Sequence, residues 1–196
     1  MSFVKRALVI FIAALFVFAF VSCGEKKPVD TFENLIGSAK NVDAEGFKNS
    51  VSDNSATEYE ALVASANKEA LDVLKRLYSR IDCTVLSENV AADEAEGKIV
   101  ITDTLHQTVR VKIRYPDFDT VMGLTDSERM IFPSSKARTI ENLFPNDVIA
   151  QYEVERTFDV LLEKIDGEWK IDLGAPQNSD FYGALKFTEF LRWLIK

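Results

Sequence analysis

The sequence predicts an α+β domain, in which helices come first along the chain and an antiparallel sheet follows. Up to about residue 80 the apolar residues recur at the three- and four-residue spacing of helices, and beyond it they alternate with polar residues as in half-buried strands. The pair Asp166 and Gly167 lies between two alternating runs and is typical of a tight hairpin turn. We therefore expect N-terminal helices packed on a curved antiparallel sheet, with one more helix at the C-terminus.

The first 22 residues have the features of an export signal. Lys5 and Arg6 belong to a short basic start, and residues 7–21 then run 15 residues without a charge. That length suits the apolar region of a secretory signal and falls short of the ~20 residues that a helix needs to cross a bilayer. The alternative is an uncleaved anchor helix in which the cysteine that follows has no special role.

The end of the apolar run resembles a bacterial lipobox. Residues 20–23 are Phe-Val-Ser-Cys, with Phe20 where leucine is commonest. The resemblance implies cleavage before Cys23, acylation of that cysteine by palmitate-type chains, and attachment to the cell membrane or outer membrane of a bacterium. Gly24 follows in place of an aspartate, which permits transport to an outer membrane. Two or three acyl chains hold a protein stably, whereas one chain holds it only marginally.

The chain is thus expected to divide into a signal peptide (1–22), a lipidated N-terminus with a short linker (23–29) and a single domain (30–196). Loss of the signal leaves 21 basic against 31 acidic residues, for a net charge near −10. Such an acidic chain lacks the basic surface of nucleic-acid-binding proteins, so we expect no nucleic-acid partner. With Cys23 acylated, Cys83 has no partner within the chain and a disulfide framework is excluded.

Three helices are predicted before residue 80. The first begins at Asp30 or Thr31, because Asp30 and the glutamate three residues later form a capping-box pattern. Asp43 caps a short second helix. Ser55 begins the third, whose apolar stripe continues unbroken to Leu77.

The strands predicted from alternation are 81–85, 98–104, 108–115, 151–165 and 168–173. Residues 91–97 are polar and predict a turn, and Pro116 ends the third strand because proline cannot donate to a ladder. Residues 117–145 are the least regular part, with a short helix near 136–144. The final helix, 181–196, has more apolar residues than one stripe holds, so it is either buried on two sides or in contact with a partner.

This order of elements resembles the nuclear transport factor 2-like (cystatin-like) cone fold. The resemblance covers about 30–173 and rests on the helical stripe 59–77 and the last hairpin, 160–173, which ends Asp-Gly-Glu-Trp-Lys-Ile. It implies a cone-like sheet around a pocket, a fold that small bacterial lipoproteins often carry. Some relatives with this fold perform proton transfers or dehydrations. The stretch 117–145 and the C-terminal helix depart from the pattern.

Few residue types in the sequence suggest chemistry. His106 is the single histidine, which excludes a histidine-rich metal site and leaves a general base without an identifiable partner. Cys83 shares an alternating row with Ile81 and Val85, which favours a small buried side chain over a reactive thiol. The acidic stretch 117–128 fails the EF-hand pattern at two positions. We therefore predict no catalytic residue, no metal and no cofactor.

Arg156 is the residue that the core pattern does not explain. It interrupts the apolar row between Val154 and Phe158, and arginine is rarely buried without a partner. One interpretation places it at a sheet edge or extends its side chain to solvent. The other places a cation inside the sheet, facing an acidic ligand or a tyrosine such as Tyr115 or Tyr152.

The function most consistent with the sequence is not enzymatic. We expect a membrane-anchored extracytoplasmic lipoprotein whose domain binds an envelope protein or a small ligand through its C-terminal helix or the concave face of its sheet. The alternative is a ligand-binding or enzymatic cone domain with a polar pocket around Arg156. Because a fold does not imply a function, the two are separated by whether polar side chains converge in one pocket.

Overall fold

A computed structural model of the chain describes residues 26–88 and 104–196. The predictions for the signal peptide, for acylation of Cys23, for the turn at 91–97 and, apart from its last residue, for the strand at 98–104 lie outside these residues. Four helices come first in the described chain: α1 (Pro28–Asn41), α2 (Ala44–Ser50), α3 (Ser55–Ser65) and α4 (Lys68–Tyr78). They precede the first two strands, β1 (Asp82–Ser87) and β2 (His106–Pro116).

The second half of the chain alternates between helices and strands. Its elements are α5 (Phe118–Ile131), α6 (Lys136–Leu143), α7 (Asn146–Ile149), a 3₁₀ turn (Ala150–Tyr152), β3 (Glu153–Ile165), β4 (Glu168–Lys170), a second 3₁₀ turn (Pro176–Asn178), α8 (Ser179–Leu185) and α9 (Phe187–Ile195). The predicted α+β class is confirmed. Over the two described ranges, no helix is both long and apolar enough to cross a membrane.

The four strands form one antiparallel sheet in the order β1-β2-β3-β4. Strands β2 and β3 pair along their whole common length, from His106 opposite Glu163 to Pro116 opposite Glu153. The predicted hairpin between β3 and β4 is confirmed, because Asp166 and Gly167 have φ values of 51° and 85°. Both central residues are therefore left-handed, as a type I′ turn requires.

The two faces of the β2–β3 pair differ in chemistry. The inner face is apolar and buried against the helices through Val109, Val111, Ile113, Phe158, Val160 and Leu162. The outer face carries ion pairs across the strands, such as Arg110 Nε to Asp159 Oδ1 at 2.7 Å and Lys112 Nζ to Glu155 Oε1 at 2.9 Å. This division fixes the register, since a slip by one residue would turn the charges into the core.

The C-terminal segment supplies much of the core. Its buried side chains, each at most 5% exposed, are Phe181, Leu185, Phe187, Phe190, Leu191 and Leu194. The ring of Phe187 lies at the centre, with centroids 5.4 Å from Phe47, 6.1 Å from Tyr78 and 6.0 Å from Phe181. The sequence left open whether this segment is buried on two sides or contacts a partner. In the structure these apolar side chains are buried.

Three predicted helices have different boundaries in the structure. Helix α1 begins at Pro28 rather than at Asp30, and the Asp30 carboxylate lies in the first turn, where it accepts the Lys27 N–H at 2.9 Å. The predicted stripe from 59 to 77 breaks into α3 and α4, because Asn67 caps a new helix by accepting the Ala70 N–H at 2.9 Å. The predicted final helix breaks at Lys186, whose φ is 46°.

The stretch 117–145 is more regular than predicted. Asp117 caps α5 by accepting the Thr120 N–H at 3.3 Å and the Thr120 hydroxyl at 2.8 Å. That cap starts a helix of 14 residues where the sequence analysis expected irregular chain. The long strand begins at Glu153 instead of residue 151, because Tyr152 belongs to the preceding 3₁₀ turn.

Candidate functional site

A cleft of about 420 Å³ opens at the end of the sheet where β2 leads into α5. Its walls come from the ends of β2 and β3, from the first turn of α5 and from α8. The lining polar side chains are Tyr115, Asp117, Asp119, Arg156, Thr157, Ser179 and Asp180. A volume in this range is typical of small-molecule sites in proteins.

Arg156 lies in the row between Val154 and Phe158, as the sequence predicted, and lines this cleft. It is opposite Ile113 in the β2–β3 register, and Ile113 is fully buried on the inner face. The arginine itself is exposed. Because β4 pairs only with residues 163–165, β3 is also the edge of the sheet at this point among the residues that the structure describes. The edge position and the cleft position, which the sequence presented as alternatives, thus coincide.

Tyr115 is the buried neighbour of Arg156 in the cleft wall. Its side chain is 3% exposed, and its ring centroid lies 6.3 Å from that of Phe158. Burial raises the pKa of Tyr115, the charge of Arg156 opposes this rise, and Asp117 and Asp119 add to it. The phenol therefore keeps its proton at neutral pH and can donate a hydrogen bond.

Two of the cleft's carboxylates already have partners within the chain. Asp117 is the α5 cap, and Asp119 Oδ1 lies 3.2 Å from Lys186 Nζ. Burial lowers the pKa of Lys186, but hydrogen bonds to Glu189 and Asp119 outweigh it and the net shift is upward. Lys186 is thus a fixed cation that ties the α8–α9 junction to the start of α5. Asp180 faces the cleft from α8.

Tyr152, the third residue predicted for a binding pocket, does not line this cleft. Its ring packs against Phe144 with centroids 5.3 Å apart and an interplanar angle of 89°. Only its carbonyl reaches the cleft rim, where it accepts the Asp117 N–H at 2.7 Å. The structure therefore brings Arg156 and Tyr115 together and holds the Tyr152 side chain elsewhere.

His106 and Cys83 lie outside the cleft. His106 is at the opposite end of β2, across from Glu163. Cys83 is half-buried, and burial raises the pKa of its thiol to about 11, so the thiol is protonated at neutral pH. Among the residues that the structure describes, no three side chains of His, Cys, Asp or Glu are grouped to hold a metal ion.

The α5 and α8 sides of the cleft were not predicted from the sequence. Asp119 and Asp180 reach it from elements about 60 residues apart, and no local pattern connects them. The Asp117-to-Thr120 cap was a signal that could have located α5. A second unpredicted feature is an apolar tip at the end of α5, where Met130, Ile131 and Phe132 are 80%, 68% and 65% exposed.

A carboxylate pair near the end of β4 gives the domain a pH-dependent element. Asp53 and Asp172 both accept the Gly174 N–H, the latter at 2.9 Å. Burial, followed by the hydrogen bond with Asp53, raises the pKa of Asp172. Because the folded state holds this proton more tightly, the pair's stabilisation is full below the unfolded pKa and is lost as pH rises through the folded pKa.

Asp172→Asn is therefore expected to raise the thermal midpoint at pH 7 and to leave it unchanged near pH 3. We expect a rise of about 2 °C or less, since solvent screens a partly exposed pair. Thermal unfolding followed by circular dichroism between pH 3 and pH 8 measures it, with Asp166→Asn in the exposed turn as the control. Parallel pH profiles for wild type and Asp172→Asn would contradict the shared-proton interpretation.

Comparison with known proteins does not assign the chain to a family. No protein-family model and no curated protein matches the chain. A similar solved structure is the crystal structure of a protein from Bacillus subtilis subsp. subtilis str. 168 described as a "putative lipoprotein (ycdA)", at 15% identity and a TM-score of 0.34. The similarity covers 78% of this chain and 56% of that one, so this chain spans little more than half the length of its neighbour. The resemblance to the nuclear transport factor 2-like fold stays a prediction.

Proposed function

We propose that this protein is an exported lipoprotein, tethered through Cys23, whose domain binds a small water-soluble ligand in the cleft around Arg156. The role is binding without catalysis and without a metal or cofactor. The lipobox-like residues 20–23 support the tether. Burial of the C-terminal segment favours the small ligand over an envelope protein bound through that segment, because the apolar side chains of the segment pack inside the domain.

The exposed guanidinium of Arg156 is the observation that carries the binding proposal. It sits on the otherwise buried inner face of the sheet, beside the protonated phenol of Tyr115. A guanidinium presents a planar fork that matches a carboxylate with two parallel hydrogen bonds. A ligand carboxylate can therefore bind Arg156 and accept a further hydrogen bond from Tyr115.

The charge of the cleft indicates what else the ligand carries. Arg156 is the one basic residue among the described residues that line it, and three aspartates line it too. Lys186 pairs with Asp119 at the cleft. With this pair set aside, Arg156 still faces two aspartates, Asp117 and Asp180, so a simple anion would meet a net negative charge. A ligand with a carboxylate at one end and an ammonium group at the other would satisfy both signs, so we assign the cleft to amino-acid-like or short-peptide zwitterions.

Isothermal titration at low ionic strength tests this assignment with three probes. They are the dipeptide Ala-Ala, propionate, which has only the carboxylate, and propylamine, which has only the ammonium group. We expect Ala-Ala to bind more tightly than either of the others. Arg156→Ala should lower the affinity for Ala-Ala by about tenfold or more, because a hydrogen bond to a charged group contributes about 1.5–3 kcal/mol.

The matched control is Arg138→Ala, which removes an exposed arginine from α6 at a position that does not line the cleft. It should leave the affinity unchanged. Equal weakening by both variants would show a general charge effect and contradict the assignment. Binding of propionate as tight as that of Ala-Ala would contradict the role of the aspartates.

A further inference from the structure

We infer that the β3–β4 hairpin end of the domain rests on the membrane surface, so that the Arg156 cleft opens on the side away from the bilayer. The inference rests on the proposed acylation of Cys23. It follows from the position of Lys26 beside the hairpin, from the short connection between Lys26 and Cys23, and from the side chains at that end of the domain.

The described chain begins against the hairpin. Lys26 lines a cavity of about 240 Å³ together with Glu168 and Trp169 of β4. The first turn of α1 is fastened to the same strand, because the Thr31 hydroxyl donates to the Trp169 carbonyl at 3.2 Å. The start of α1 and the hairpin therefore form one end of the domain.

Only three peptide units separate Cys23 from Lys26. Three residues of fully extended chain reach about 11 Å at most. If the acyl chains of Cys23 are in a bilayer, Lys26 lies within that distance of its surface. The hairpin, which lines the same cavity as Lys26, is then held near the bilayer too, and the opposite end of the sheet lies farther from it.

The surface that this tether presents to the bilayer suits an interface. Ile165 at the hairpin is 39% exposed, and Leu105 beside it is 56% exposed. The Leu105 carbonyl accepts the Lys164 N–H at 2.7 Å, which holds Leu105 next to the hairpin. Lys26 and Lys27 belong to the same end. Apolar side chains that enter the headgroup boundary while lysine stems reach up to phosphates are typical of proteins that lie on membranes.

The tether makes a small surface sufficient. Once the acyl chains are inserted, contact between hairpin and bilayer is an intramolecular event at a high effective concentration. In an untethered domain, two partly exposed apolar residues would bind a bilayer negligibly. In the tethered domain the same two residues are enough to bias its orientation on the membrane.

The orientation has a consequence for the ligand. Arg156 precedes Ile165 by nine residues on β3, which corresponds to about 30 Å of strand. The cleft therefore opens into the aqueous phase, at most about that far above the lipid headgroups. Its ligand arrives from solution rather than from the membrane.

Site-specific fluorescence on vesicles tests the orientation. The mature acylated protein, with Cys83→Ser so that the introduced cysteine is the one labelling site, is reconstituted in vesicles of phosphatidylethanolamine and phosphatidylglycerol. An environment-sensitive dye is placed at Ile165→Cys in one sample and at Ile131→Cys, in the apolar tip of α5, in the other. The reference is the unacylated chain that starts at residue 23 with Cys23→Ala, in buffer without lipid. We expect iodide to quench the dye at 165 about threefold less efficiently on vesicles than in the reference, since headgroups shield it, and the dye at 131 to be quenched equally in both.

The two failures are distinguishable in the same experiment. Wild-type protein that does not float with the vesicles, or a Cys23→Ala chain that starts at residue 23 and still floats, overturns the anchor itself. Protein that floats through Cys23 but shows equal quenching at both positions, or protection at 131 alone, overturns the orientation and leaves the anchor intact. Leu105→Cys serves as a second hairpin-end position should Ile165→Cys lower the thermal midpoint.

Discussion

Phe187→Ala is expected to lower the free energy of unfolding by about 3–5 kcal/mol, the cost typical of truncating a fully buried aromatic side chain. The Phe187 side chain is 0% exposed. Its ring contacts Phe47 of α2 and Phe181 of α8 nearly edge-on, with interplanar angles of 72° and 64°. Alanine would leave a cavity where α2, from the first half of the chain, meets α8 and α9 from its end. These helices cannot fill the cavity without losing their own packing.

The same substitution also disturbs a polar contact. The Tyr78 hydroxyl lies 3.3 to 3.4 Å from the carbonyls of residues 185, 186 and 187, at the point where Lys186 turns the chain between α8 and α9. This hydroxyl is fully buried, and burial holds its pKa well above the usual value. A shift of the α8–α9 junction into the new cavity would cost Tyr78 its acceptors, which adds to the loss of packing.

Urea unfolding at pH 7 measures the effect, with Phe187→Leu and Phe132→Ala for comparison. Leucine refills most of the volume and should cost less than alanine. Phe132 is 65% exposed in the apolar tip, so its truncation should change stability by about 0.5 kcal/mol or less. A loss below about 1 kcal/mol in Phe187→Ala would mean that the C-terminal segment is not integral to the core.

The parts of the fold that the sequence predicted are those with local causes. Asp166 and Gly167 define their turn by their own backbone preferences, and Pro116 ends β2 because it has no N–H. Asp43 caps α2 by accepting the Gly46 N–H at 3.1 Å, as its position before the helix indicated. In each case the residues that decide the structure lie within four positions of one another.

The parts that the sequence did not predict depend on contacts across the fold. Lys186 adopts a left-handed conformation while its ammonium group is held by Asp119, a residue 67 positions earlier. The break between α8 and α9 therefore cannot be predicted from the local sequence, which is a continuous run of helix-forming residues. The cleft has the same origin, since Arg156 was noticeable as an interruption of an apolar row, but the walls opposite it come from α5 and α8.

Asn178→Ala is expected to destabilise the domain by about 3 kcal/mol and to weaken the cleft as well. Asn178 is 0% exposed. Its Oδ1 accepts the Leu161 N–H at 2.8 Å, and its Nδ2 donates to the carbonyls of Leu161 at 2.9 Å and Asp172 at 2.8 Å. The amide thus acts as a strand partner on the side of β3 that the short β4 does not reach. Alanine would leave the N–H and C=O of Leu161 partly buried and without their Asn178 partners.

Asn178→Asp tests the same contacts with nearly the same shape. The carboxylate can still accept from Leu161 but cannot donate, and burial disfavours its charge, so its pKa should rise on folding. The variant's deficit should therefore shrink as pH falls and grow as pH rises, opposite to the trend of a carboxylate stabilised by a cation. Asn41→Ala, which removes one exposed amide-to-carbonyl hydrogen bond at the end of α1, should cost about 0.5 kcal/mol or less.

The position of Asn178 connects this stability to the proposed ligand. Ser179 and Asp180, which follow it directly, form the α8 side of the cleft. Because Asn178 fastens the start of α8 to β3, its loss should reduce the affinity for the zwitterionic probe even at temperatures where the domain stays folded. Phe187→Ala, whose cavity lies at the other end of α8, should reduce the affinity less for a greater loss of stability. The reverse order would show that the cleft is shaped by core packing as a whole and not by the Asn178 contacts.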